Sequence, residues 1–173
     1  MSIDYSLKLA NSIIDENLIK KVLKDMSIDA LKTGDLELGF YFYKFDPNIK
    51  MCISFINDLD YPEGHPANNS ETMFLANDFY CNNTLTYSFE KKWMDDEKID
   101  IDSQYNIMLS SVMELARISN KEALFIGPGG EDVFFYKNGT FFFESESYDE
   151  FMSGPEKAIL EKYSCVEFDG KPL

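Results

Sequence analysis

The residues of this chain that could do chemistry are carboxylates, and they fall in two runs. Asp95, Asp96, Glu97, Asp100 and Asp102 form the denser run. Glu144, Glu146, Asp149 and Glu150 form the second, just after the last strongly hydrophobic segment. Two carboxyl groups about 5–9 Å apart in contrasting environments can share acid and base duties in glycoside hydrolysis, but an acidic chain supplies such pairs by chance. Calcium chemistry asks for alternating oxygen ligands, a loop glycine and a closing glutamate. The denser run has none of these in register, and Asp58-Leu59-Asp60 fails the same requirement. Asp100 or Asp102 has a plainer use at a helix N-terminus, where negative charge is favourable. Trp93, the only tryptophan, lies beside the first run and two lysines. It fits the type of anchor that dominates interface energies, and equally a half-buried packing residue.

Other chemistries lack their parts. His65, in a Gly-His-Pro sequence, is the only histidine, so a serine or cysteine nucleophile has one available base, and no GxSxG elbow occurs. Cys52, Cys81 and Cys165 are odd in number, widely spaced and outside any CxxC pair. They do not assemble a local zinc site and read as reduced structural thiols. Gly127-Pro128-Gly129-Gly130 matches neither phosphate-binding glycine motif. Glu131 and Asp132 follow it, and both would repel phosphate, so a tight hairpin turn is expected. No catalytic residue, metal site or cofactor is expected.

The charge balance narrows the partners. The chain carries 31 acids against 16 bases over 173 residues, a net charge of −15, of which residues 1–50 hold only −1. Such a surface repels nucleic acid and anionic lipid, and it either serves solubility or steers in a cationic partner. No apolar run approaches the roughly 20 residues that span a bilayer. The first residues lack the basic and unbroken apolar regions of a signal peptide. A soluble, cytoplasmic protein is expected. The length suits one domain, residues 1–173, that buries about 70% of its unfolded surface without disulfides or metal.

Periodicity predicts the elements that must position these residues. Ile3 to Leu9 alternates apolar and polar, a half-buried strand. Ser12 and Asp15 offer a capping box for a helix over 13–26, striped by Ile14, Leu18, Val22 and Met26. Strands are predicted over 36–45 and 51–56. Residues 57–83 lose periodicity and read as a long surface excursion with a helical turn near 71–76. A strand over 84–89 and a helix over 103–119 follow. Segments 123–126, 132–137 and 140–144 close the sheet, with Asn138-Gly139 as a hairpin turn. Short helices are predicted over 148–153 and 155–163. The order β-α-β-β, then β-α-β-β-β, predicts an α+β fold: an antiparallel sheet with two main helices on one face and a phenylalanine-rich inner side.

Three segments resemble a known family. Ser2-Ile3-Asp4-Tyr5-Ser6-Leu7-Lys8-Leu9 followed by a short helix resembles the start of the Sit-type immunity proteins, which protect bacteria against toxins delivered by cell contact. Thr84-Leu85-Thr86-Tyr87-Ser88-Phe89-Glu90-Lys91-Lys92 is similar to that family's central strand and its closing charged pair. Ala123-Leu124-Phe125-Ile126 and the stretch from Glu131 to Gly139 resemble its C-terminal hairpin. Together they cover about a third of the chain, and residues 57–83 and 95–102 have no counterpart. The resemblance implies a partner protein that neutralises a toxin, as in contact-dependent growth inhibition systems. It supplies no binding residues.

The sequence expectation is therefore a non-enzymatic immunity protein that occludes a basic toxin domain, expected to be a nuclease. The expected contacts are Trp93, Asp95, Asp96, Glu97, Asp100, Asp102, Glu144, Glu146, Asp149 and Glu150. Two alternatives stay open: a mimic of nucleic-acid charge that inhibits many basic proteins, and a hydrolase using Glu144 or Glu146. The sequence does not specify the toxin, its substrate or the oligomeric state.

Overall fold

The computed structural model describes residues 2–10, 14–28, 31–36, 40–44, 51–57, 69–90 and 100–173. The fold is α+β, with a sheet of nine strands that is antiparallel except at one edge. In chain order the elements are β1 (Ser2–Leu9), α1 (Glu16–Asp25), β2 (Leu31–Leu36), β3 (Phe40–Lys44), β4 (Met51–Asn57), β5 (Asn69–Ser70), β6 (Phe79–Tyr80) and β7 (Asn83–Glu90). Then come α2 (Ile101–Ser119), β8 (Ala123–Ile126), β9 (Asp132–Lys137), β10 (Thr140–Phe143), α3 (Ser145–Ser153), α4 (Lys157–Leu160) and β11 (Ser164–Glu167). The sheet order is β11-β10-β9-β8-β1-β7-β4-β3-β2, while β5 and β6 pair separately.

Both main helices lie on one face, and the strand directions explain why. β1 leads through α1 to β2, toward one edge. β7 leads through α2 to β8, and β10 through α3 and α4 to β11, in the opposite strand direction and toward the opposite edge. Reversing both direction and sense preserves handedness, and such crossovers share one hand almost without exception. All three connections therefore pack on the same side. Their apolar residues enter one core: Ile19, Val22 and Leu23 of α1, Val112 and Leu115 of α2, and Ile159 and Leu160 of α4 meet Leu7, Ile53, Leu85, Tyr87 and Phe134 of the sheet. Tyr87, fully buried, shares a hydrogen bond of 2.8 Å with Ser111 on α2, whose hydroxyl also donates to the Met108 carbonyl at 2.9 Å.

Several expectations are corrected. α1 starts at Glu16, capped by Asp15, whose carboxylate accepts from the Leu18 N–H at 2.8 Å; Ser12 lies outside the described residues. The strand predicted over 36–45 is β3 alone. β2 precedes it and escaped notice because Gly34 and Asp35 interrupt its pattern at a register shift between Lys32 and Gly34. The two halves of that order differ in topology: the first enters its hairpin series at the sheet edge, the second at the centre. The phenylalanines divide by alternation, with Phe134, Phe141 and Phe143 toward the helices and Phe135 and Phe142 on the far side.

The largest correction concerns residues 57–83. Residues 58–68 lie outside the described residues, but 69–81 are no surface excursion and hold no helical turn. Phe74 and Phe79 pack with Phe135, Leu124 and Phe168 in a second core on the far face. Thr72 Oγ1 and the Met73 N–H both donate to Asp132 at 2.7 Å, pinning the segment to β9. The Leu173 N–H donates to the Phe74 carbonyl at 2.9 Å, so the C-terminus closes the same patch. β11, missed because it is short and three of its four residues are exposed, pairs in parallel with β10. Among the described residues no helix is long and apolar enough to cross a membrane.

Candidate functional site

A cavity of about 370 Å³ opens on the helix side of the sheet, near the start of α2. Five elements and two turns build it, β9 through Val133. Alternation along β1 aims Tyr5 toward the helices with Leu7 and Leu9, and β8 contributes Phe125 in the same way. On α2, Asp102, Tyr105 and Leu109 follow one another at helical spacing along one flank. On α3, Ser147, Glu150 and Phe151 do the same. The β8–β9 turn adds Glu131, and the turn between α3 and α4 adds Glu156.

The floor is aromatic. Tyr5 lies parallel to Phe125 at 6.0 Å between ring centres and meets Tyr105 edge-on at 5.9 Å. Phe89 packs behind, 5.2 Å from Tyr105. The rim is anionic: Asp102, Glu131, Glu150 and Glu156 line the cavity, and no lysine or arginine does so among the described residues. Burial, then the neighbouring Tyr105 hydroxyl and its charge, push the Tyr5 phenol well above its ordinary range, and the charges of Glu131 and Glu150 act in the same direction. A negative charge is thus strongly disfavoured on this floor.

Glycines hold two of the rim carboxylates in place. The β8–β9 turn closes with the Gly127 N–H donating to the Glu131 carbonyl at 2.8 Å, and Gly130 takes a left-handed φ of 87°. The glycine run is the hairpin turn expected from its sequence. Glu131 then folds back over it: a Cβ on Gly127 would collide with one carboxylate oxygen, and one on Gly129 would stand 2.6 Å from the other. Gly154 receives Glu156 similarly, at 2.5 Å. Bare backbone lets each side chain curl where a methyl group would displace it.

The structure brings together Asp102 from the first acidic run and Glu150 from the second. Asp100 instead caps α2, accepting from the Ser103 N–H at 3.1 Å and the Ser103 hydroxyl at 2.6 Å. These bonds, the hydroxyl's first, hold its carboxyl below the usual range. Glu144 caps α3, accepting from the Glu146 N–H at 3.1 Å and the Ser147 N–H at 3.0 Å. Burial works against its ionisation, yet these N–H groups outweigh it and lower its pKa. Glu146 and Asp149 are exposed and line no part of the cavity. Trp93, Asp95, Asp96, Glu97 and His65 lie outside the described residues.

Sequence reasoning missed Tyr5, Tyr105, Phe125, Phe151, Glu131 and Glu156. The alternation of Gly127, Gly129 and Glu131 was the one local sign that a carboxylate could lie against backbone.

A wider groove of about 620 Å³ lies between α1, α2 and α4. Asp25, Glu114 and Lys162 line it, and Asn106 Oδ1 is the one buried side-chain oxygen or nitrogen among the described residues without a hydrogen-bond partner. Glu114 accepts from Arg117 at 2.6 and 2.9 Å and from the Tyr163 hydroxyl at 3.1 Å. Among the described residues no group of three His, Cys, Asp or Glu side chains is placed to hold a metal ion. Compared with models of protein families, curated proteins and solved structures, the chain matches none.

Proposed function

We propose that this chain is an immunity protein of the cytoplasm that binds a cationic, contact-delivered toxin domain and blocks it by occlusion. The observation that carries the reading is the convergence of carboxylates from both acidic runs around one aromatic-floored cavity. Opposite charge across such a face raises the association rate and penalises wrong partners. A basic nuclease is the toxin class that fits a net charge of −15. Binding rather than turnover is supported by the engagement of Asp100 and Glu144 as helix caps. The resemblance of β1, β7 and the β8–β10 segment to Sit-type immunity proteins points the same way.

The test is growth of cells expressing the C-terminal fragment of the gene immediately upstream, with and without this protein. Toxicity relieved by this protein and not by an unrelated acidic protein supports the reading. Toxicity that persists beside well-expressed protein, or relief by any acidic protein, contradicts specific immunity. A panel of unrelated basic nucleases separates the charge-mimic alternative, which inhibits them broadly.

A further inference from the structure

We infer that the cavity is a receptor for one arginine side chain of the protein partner. The inference rests on the reading of this face as a protein-binding surface and adds the group that it recognises. Carboxylates on a surface make only a solvated acidic face; what distinguishes these is the hollow beneath them. Its 370 Å³ is of the size that takes a small ligand or a side-chain end. The half-buried Tyr5 and Tyr105 rings give the hollow an aromatic lining against which a cation is favoured, and the carboxylates of the rim exclude an anion and favour a cation over a neutral apolar group.

The choice between the two protein cations follows from hydration and shape. An ammonium is compact and strongly hydrated, and it gives up water at high cost when it enters a half-enclosed aromatic space. A guanidinium is planar and weakly hydrated. It stacks on rings while its edge donors reach carboxylates on two sides. Tyr5 and Tyr105 line the hollow as half-buried rings, with Phe125 buried beside Tyr5, and Glu131 and Glu150 stand on separate elements of the rim. That arrangement offers a stacking surface and divided acceptors, as a fork of donors requires.

The experiment is an NMR titration of the full chain with N-acetyl-arginine methylamide, its lysine counterpart and its citrulline counterpart. The expected result is saturable shifts of the Tyr5 and Tyr105 ring signals with the arginine probe, with a Kd on the order of millimolar. The lysine probe should bind about fivefold more weakly, and the neutral citrulline probe should leave the signals in place. The Glu131→Gln, Glu150→Gln pair should abolish the arginine response while signals from the far-face core stay unmoved. Glu150→Gln alone, at an exposed helix position, repeats the test if the pair perturbs the turn. Equal responses to arginine and lysine, a response to citrulline, or shifts centred elsewhere would overturn the inference. These probes need no toxin, so a failed titration and a failed growth assay point to different errors.

Discussion

Two hollows flank α2, and they differ in how their charge is used. In the wider groove the acids are matched: Glu114 is held by Arg117 and Tyr163, Asp25 pairs with Lys21 at 2.9 Å, and Lys162 stands on the wall. In the smaller cavity four carboxylates line an aromatic hollow, with no base on the lining among the described residues. Charge paired within the molecule belongs to the fold. Charge gathered around rings, with no cation beside it among the described residues, is what an external cation would complete. The comparison therefore favours the smaller hollow as the proposed recognition site, although the other is larger and holds the orphaned Asn106 oxygen.

The largest effect should come from reversing the unmatched charge. Glu131→Lys with Glu150→Lys is expected to weaken binding of the cationic partner on the order of 100-fold, since like charges across an interface cost several kcal/mol. Titration of the purified variant against the toxin domain checks it, with circular dichroism to confirm that the fold persists. A smaller, positional effect is expected from Gly127→Ala. The new methyl displaces only the flexible end of Glu131, so thermal stability should hold while affinity falls about tenfold, the worth of roughly one misplaced charge-assisted hydrogen bond.

The matched groove should announce itself in stability instead. Burial, then the charge of Glu114, raises the Tyr163 pKa from 10.0 to about 12. The folded state thus favours the protonated phenol. Its contribution is complete below about pH 10 and is lost as pH rises through 12. Glu114 is displaced the other way, chiefly by its hydrogen bonds from Arg117 against the cost of burial. Its contribution is complete above the ordinary carboxylate range and disappears as pH falls through its lowered value. Denaturant midpoints measured across pH should show Tyr163→Phe flattening the alkaline limb and Glu114→Gln the acid limb, with partner affinity at neutral pH unchanged. The smallest effect is expected from Asp25→Lys, an exposed change in the groove, which should alter affinity by less than about twofold because it sits outside the proposed interface.

The two hollows also differ in how far the sequence revealed them. Elements with local periodicity were legible. β1 announced itself by alternation, α2 by its apolar stripe, and the β9–β10 turn by Asn138 and Gly139, both found at positive φ. The placement of both long helices on one face followed from element order. Features made by distant residues were not legible. Phe74 and Phe79 lie in an aperiodic stretch and became core only because β8 and β9 present Leu124 and Phe135 beneath them. The cavity lining joins Tyr5, Tyr105, Phe125 and Phe151, spread over nearly the whole chain, each of which reads locally as an ordinary core residue. Acidic runs were visible, but their division of labour was not: a cap such as Glu144 and a rim residue such as Glu150 differ only in where the helix begins.

The most direct measurement is a side-by-side growth assay in cells expressing the toxin fragment, with the wild-type protein, the Glu131→Lys, Glu150→Lys variant and the Asp25→Lys variant at equal expression. The account predicts that wild type and Asp25→Lys protect while the cavity variant, folded and abundant, does not. Protection by the cavity variant, or its loss only in Asp25→Lys, would contradict the assignment of recognition to the acid-rimmed cavity.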